Sequence, residues 1–205
     1  MEGSRKMKKE ALIRAMDSFR IESQSVLDLL EYMDYEAFGK AVELMSGCAR
    51  IATSGCGHSG IACMHFAHSL CCIERPARFI YPSEAVHGAM GFVQKGDVVI
   101  VASRGGKSEE LMPLLEISSK KDANIISITE NLNSPIAQRS DVVIPMKIQR
   151  ECDKYNCQST ASFVVLTAIF DALQVALIEE TDYANERFAL IHPAGAVGGK
   201  LKNLR

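Results

Sequence analysis

The sequence has no excess of either charge. Its 205 residues carry 23 Lys and Arg against 25 Asp and Glu, a formal net charge of −2. A general nucleic-acid binder would show a basic surplus, so that class is excluded, while a local basic site is not. An apolar leader is also missing. Met1 to Glu10 is charged, and Arg14 and Asp17 interrupt the apolar residues that follow, so no signal-peptide core is found. No membrane-length run goes uninterrupted. The most apolar stretch, Ala161 to Ile178, contains Asp171 and Gln174 and reads as a buried core helix. Paired C-x-x-C motifs are lacking. The seven cysteines (Cys48, Cys56, Cys63, Cys71, Cys72, Cys152 and Cys157) are odd in number, which points to free thiols in a reducing, cytoplasmic setting. Repeats, low-complexity tracts and linkers are absent as well. What remains is an ordinary globular composition, 47% hydrophobic and 23% charged. A chain of this length forms one domain, or one domain with an arm, and buries roughly 70% of its unfolded surface.

Two helical segments come first. Leu12, Ile13, Met16, Phe19, Ile21, Val26, Leu27, Leu29 and Leu30 recur at three and four spacings, predicting an amphipathic helix over 7–32. A second helix is expected over 35–46. Residues 1–46 therefore read as a helical arm, and 47–205 as the domain proper. From there the pattern changes. Short runs rich in Val and Ile recur at Arg50–Thr53, Ala77–Tyr81, Val98–Ala102, Ile125–Thr129 and Val142–Pro145. They carry almost no internal charge, as suits strands buried on both faces of a parallel sheet. Helices are expected between them at 59–73, 84–90, 107–121 and 134–139, then at 158–180 and 184–190. Ser108 before two acids and Ser134-Pro135 resemble helix starts. The fold class is α/β, a doubly wound five-stranded parallel sheet flanked by helices.

Ligands of such sheets bind outside the carboxyl ends of the strands. Two Gly- and Ser-rich loops fall there. One is Ser54-Gly55-Cys56-Gly57-His58-Ser59-Gly60, after the first strand. The other is Ser103-Arg104-Gly105-Gly106-Lys107-Ser108, after the third. Both open a helix, whose N-terminus offers unpaired N–H groups to an anion. Arg104 and Lys107 add charge suited to phosphate. The first loop also fits G-x-G-x-x-G, but a second phosphate-type loop is foreign to the dinucleotide pattern. Tight turns that need glycine account for one such loop; two in one sheet point to an anion site. A third segment, Ser159-Thr160, opens the long helix and supplies hydroxyls, with Ser159 expected as its N-cap.

Four titratable residues lie outside the surface runs: Glu84 and His87, three apart on one predicted helix, Glu151 after the last strand, and His192 near the C-terminus. His65 and His68 sit among Cys63, Cys71 and Cys72 in an apolar helix, which reads as buried thiols and half-buried rings rather than a metal site.

Taken together, these motifs resemble the sugar isomerase (SIS) domain family, and within it the arabinose 5-phosphate isomerases. The resemblance rests on Gly55 to Gly60, Tyr81-Pro82-Ser83-Glu84-Ala85-Val86-His87-Gly88, Ser103 to Ser108, Glu151, Ser159-Thr160, Asp171-Ala172-Leu173, and Phe188-Ala189-Leu190-Ile191-His192-Pro193-Ala194-Gly195-Ala196. It implies a flavodoxin-like sheet, a phosphorylated-sugar ligand, and a homo-oligomer, tetramer or dimer, with the site shared between subunits. It implies aldose–ketose isomerisation through a cis-enediol, with no metal or other cofactor and no membrane partner. By position Glu151 matches a catalytic glutamate, His192 a catalytic histidine that helps open the ring, and His87 a histidine lining the site. Ser59, Ser103, Ser108, Ser159 and Thr160 match groups that hold phosphate or sugar hydroxyls, with Ser54, Gly55, His58, Glu84, Arg104 and Lys107 beside them. Burial is expected to tune the base toward working pH.

Several positions depart from the family pattern. His58 stands where Lys is usual, Ala89 where close relatives have Asp, and the second loop reads S-R-G-G-K-S in place of S-N-S-G-E-S. Gly105 therefore lacks a hydroxyl, Lys107 replaces a glutamate, and Arg104 is the expected substitute for the lost phosphate contact. These departures motivate a rival reading, a phosphosugar sensor without turnover. A weaker third is lyase or deacylating chemistry through Lys107. Relatives that continue into a tandem CBS pair differ from this chain, which is read to Arg205.

Overall fold

The five apolar runs become the five strands of one parallel sheet in the computed structural model, which describes residues 7–193. They are β1 (Ile51–Gly55), β2 (Ala77–Phe79), β3 (Val98–Ala102), β4 (Asn124–Thr129) and β5 (Val142–Pro145), in the order β2-β1-β3-β4-β5. Ile51 pairs with Val98, Val98 with Asn124, and Ile126 with Val142. The order reverses between β1 and β3, so the crevice at their carboxyl ends is the switch point where such sheets take ligands.

In chain order the helices are α1 (Lys9–Leu27), α2 (Leu29–Tyr32), α3 (Tyr35–Gly47), α4 (Gly57–Cys72), α5 (Pro82–Ala85), α6 (Met112–Lys120), α7 (Ala161–Glu180) and α8 (Asn185–Ile191). Side chains alternate across β3. Val98, Ile100 and Ala102 face a core shared with α3, α4 and α7, whereas Val99 and Val101 face a second core with α5 and α6. Both faces are covered, which is why the strands read as continuous apolar runs. In the first core, Phe66 of α4 stacks on Phe170 of α7 with centroids 4.2 Å apart. The apolar run of α7 is thus placed in the core through its inner face.

Several sequence-based boundaries shift. The expected helix over 7–32 divides at Asp28 into α1 and α2. Ala41, Val42 and Met45 of α3 are buried in the first core, so α3 belongs to the domain and not to an arm ending at 46. Helices α1 and α2 pack onto the first core through Ile21 and Leu29, and the Tyr32 hydroxyl donates to the Lys147 carbonyl at 2.5 Å. The helix expected over 84–90 is two short pieces, α5 and a 3-10 turn at Ala89–Phe92, because Gly88 between them is left-handed at φ 101°. The segments 107–121 and 134–139 also begin as 3-10 turns, and the second stays one. Of the thiols expected to be buried in α4, Cys63 is, and burial pushes it up to about 12, whereas Cys71 is exposed. The last three residues of the Phe188–Ala196 motif lie outside the described residues.

Candidate functional site

Glycine builds the first loop by close packing. The backbones of Gly55 and Gly60 meet where β1 turns into α4, and a Cβ on Gly60 would sit 2.5 Å from the Gly55 carbonyl oxygen. Gly55 is therefore buried in the turn and presents nothing to a ligand. Ser54 is a correction of the same kind: it is fully buried and its hydroxyl donates to the Ile80 carbonyl at 2.7 Å. His58 and Ser59 remain accessible, with the His58 ring edge-on to Phe163. The second loop closes on itself. The Ser103 and Ser108 hydroxyls lie 3.0 Å apart, Gly106 N–H donates to the Ser103 carbonyl, and Lys107 is exposed.

Three consecutive strand ends then bring charged residues together. Arg104 follows β3, Glu130 follows β4 and Glu151 follows β5. Arg104 Nε donates to Glu130 Oε2 and its Nη1 to Glu151 Oε1, each at 2.7 Å. Arg104 is therefore not a free phosphate cation. Its charge is balanced by two carboxylates before any ligand arrives. A small cleft beside it is lined by His58, Ser59, Arg104, Ser159 and Phe163, among others.

Glu151 is 1% exposed and collects five donors. Oε1 accepts from Arg104 and from the Ser162 hydroxyl at 2.5 Å. Oε2 accepts from the N–H groups of Thr160 and Ser162, at 2.9 and 3.1 Å, and from the Thr160 hydroxyl. Burial alone would raise its pKa. The Ser162 hydroxyl, the two backbone N–H groups and the Arg104 guanidinium outweigh that and hold the carboxyl below the usual range. This is opposite to the expected tuning toward working pH. Glu151, and not Ser159, caps α7, and the Thr160 hydroxyl expected on the sugar is already engaged by Glu151 and by Cys152 N–H. Ser159 lines the cleft instead.

Glu84 in α5 and His87 in the turn that follows it are both exposed, after β2. His192 lies elsewhere. Tyr183 donates to the Cys72 carbonyl, and Arg187 of α8 pairs with Glu74, beyond the far end of α4. Helix α7 runs about 30 Å from Glu151 to that edge, whereas α8 is about 10 Å long. One chain therefore does not bring His192 to Glu151. His192 stacks on Phe188 instead.

Sequence reasoning does not single out Glu130 or Ser162. The signal for Glu130 is its place directly after β4, next to the strand that Arg104 follows. The order of neighbouring strands has to be known to use it. For Gly105 the sequence does support a direct expectation. A Cβ there meets nothing within 4 Å, and its φ lies outside the left-handed region. Gly105→Ser is expected to leave the melting temperature within about 2 °C and to tighten phosphate binding by a hydrogen bond's worth, roughly fivefold. Calorimetric titration with inorganic phosphate checks it, and a lower affinity would contradict it.

Comparison with known proteins comes to the same place. A family model described as SIS domain matches residues 44–176. An arabinose 5-phosphate isomerase of Francisella tularensis is 34% identical over 191 residues, covering 91% of this chain and 58% of that protein. The Escherichia coli K12 arabinose 5-phosphate isomerase is 33% identical over 182 residues, covering 88% and 55%. The chain thus spans a little over half the length of these curated relatives. A crystal structure from Listeria monocytogenes, described provisionally as a sugar-phosphate isomerase, is 38% identical with a TM-score of 0.88, covering 92% of this chain and all of that one. An E. coli CFT073 protein in complex with arabinose 5-phosphate is 28% identical with a TM-score of 0.84, covering 91% of this chain and all of that one.

Proposed function

Because the chain belongs to the SIS domain family, we propose that it is a phosphosugar aldose–ketose isomerase of the arabinose 5-phosphate class. The observation that carries this is the coincidence of two findings. The described cleft lies at the carboxyl ends of the strands, between two Ser/Gly loops that open helices. And a protein aligned over all of its length with this chain is in complex with arabinose 5-phosphate. In this reading the open-chain aldose loses its C2 proton to a base as its C1 oxygen gains one, giving a cis-enediol, and the C2 hydroxyl then gives up its proton as the base returns the first to C1. Histidine is the side chain suited to carry a proton both ways near neutral pH. His87 and His192 are assigned that work and ring opening, with His58, Glu84, Ser59 and Ser159 around the sugar. Glu151 serves as a fixed negative charge that caps α7 and holds Arg104. Phosphate falls to Lys107, Ser103, Ser108 and the loop N–H groups. No metal or other cofactor is assigned a step.

Since His192 lies too far from Glu151 within one chain, the reading requires a homo-oligomer, tetramer or dimer, in which a neighbour supplies it. Exposed Leu12, Ile13, Met16 and Phe19 on α1 favour such an assembly. A cytoplasmic setting is part of the proposal and is supported by the seven free thiols.

A second reading, a sensor that binds without turnover, is favoured by one observation: the Glu151 carboxylate is fully engaged by donors, and one chain does not bring His192 to it. Incubation with arabinose 5-phosphate in deuterium oxide, followed by proton NMR, separates the two. Deuterium at C1 or C2 is expected. Thermal stabilisation by the sugar phosphate with no exchange at high protein concentration would establish the sensor. Light scattering that gives a monomer would remove the shared site.

A further inference from the structure

The surroundings of Arg104 argue for a partner other than phosphate. Two carboxylates and one guanidinium meet at the carboxyl edge of β3, β4 and β5, so the cluster carries one net negative charge. A phosphate dianion brought to it meets two acids that already surround the cation, and like charges in a half-buried site repel strongly. A neutral oxygen meets no such penalty. The guanidinium is planar and rigid, so fixing two of its nitrogens fixes the third. Nε is fixed by Glu130 and Nη1 by Glu151. Nη2 makes no hydrogen bond among the described residues, and Arg104 lines the cleft with His58, Ser59 and Ser159. Glu130 is itself tethered, since its Oε1 accepts from Ile148 N–H at 3.0 Å.

We infer that Glu130 and Glu151 clamp Arg104 so that its Nη2 edge holds a neutral oxygen of the sugar, a hydroxyl or the carbonyl, while the phosphate is held elsewhere. Arg104 then determines which sugar is accepted, and Glu130, which touches no substrate, is a positioning residue acting through it. The inference rests on the phosphosugar reading above.

The test uses the full chain, with inorganic phosphate and arabinose 5-phosphate as two probes in calorimetric titration. Thermal unfolding confirms that each variant folds. Arg104→Lys keeps the charge and loses the fork. Glu130→Gln keeps the shape, but one amide oxygen must then serve both Ile148 N–H and Arg104 Nε, while the amide nitrogen faces donors. Glu130→Asp replaces it should the glutamine variant unfold. In both variants phosphate affinity is expected to stay within about twofold and arabinose 5-phosphate affinity to fall about tenfold, the loss of an oriented charge-assisted hydrogen bond. A parallel loss of phosphate affinity would make Arg104 a phosphate anchor and overturn the inference. So would full sugar-phosphate affinity in Arg104→Lys, or a Glu130→Gln protein that loses only melting temperature. A native protein that binds phosphate but not arabinose 5-phosphate removes that sugar from the proposed function. The bound member of a pentose, hexose and amino-sugar phosphate panel then takes its place, and the same split decides the clamp. A native protein that binds neither phosphate nor any sugar phosphate overturns both.

Discussion

Glu151→Gln is expected to lower the melting temperature by about 10 °C. The side chain is 1% exposed and receives a guanidinium, two hydroxyls and two helix N–H groups. Removing one partner of a buried ion pair costs about 3–5 kcal/mol, because the other partner keeps its desolvation penalty. At this chain length each kcal/mol is worth roughly 2–4 °C. The pH dependence has a definite sign. The folded carboxyl sits below its ordinary value of 4.5, so the unfolded chain takes up a proton first as pH falls. Its stabilisation is complete above about pH 4.5 and is lost as pH drops through the folded value. Thermal unfolding of the native protein should therefore show an acid decline that Glu151→Gln flattens. A poised general base would behave otherwise, losing turnover at an unchanged melting temperature.

Gly106→Ala should be nearly as damaging. Gly106 is left-handed at φ 65°, and an added Cβ would lie 2.0 Å from Ser134 Oγ and 2.3 Å from Ser134 Cβ. Ser134 cannot retreat freely, since it is 1% exposed and its hydroxyl caps Ala137 N–H. The unfavourable backbone conformation and the overpacked contact together cost about 3–5 kcal/mol. The binding loop moves with it. Thr129 Oγ1, 3.0 Å from the same point, donates to the Arg104 carbonyl. Denaturant unfolding and sugar-phosphate titration should both register the change. A Gly106→Ala protein with native stability and native affinity would contradict the steric argument. The neighbouring Gly105→Ser, with open space around its Cβ, is the matched control.

The strands and their layering were legible because a sheet covered on both faces turns into uncharged Val and Ile runs, as in Val98–Ala102. The site was legible as a location, since Gly- and Ser-rich loops mark strand ends. Its electrostatics were not. Glu151 stands out in the sequence as a residue of the site, but its five donors come from a helix start and from a strand two positions away in the sheet. Neither is adjacent in sequence. Arg104 looks like a phosphate cation because its acid, Glu130, lies 26 positions on. Boundaries failed where backbone conformation intervened, as at Gly88, which splits the helix expected to carry Glu84 and His87 on one face. His192 is recognisable by its motif, while its place at the opposite edge depends on the course of α7, which a motif does not encode.

Strands apolar on both sides raise a separate difficulty. In a half-buried sheet, slipping one strand by a residue exposes its apolar side chains and is rejected. Val98–Ala102 sliding against Asn124–Thr129 would present much the same oily surface to both layers, so apolar patterning specifies alignment weakly there. Charged side chains at the strand ends supply what is missing. Arg50 with Asp97 ties β1 to β3 at one edge, and Asp141 accepting from Ile125 N–H ties β5 to β4. Arg104 with Glu130 and Glu151 ties β3, β4 and β5 at the other. When one strand slips by a residue, about 3.3 Å, the pairs in which that strand takes part separate. The charged rim thus acts as a proofreading frame for an otherwise permissive sheet, and the chain keeps its alignment through residues that contribute almost nothing to the oil between its layers.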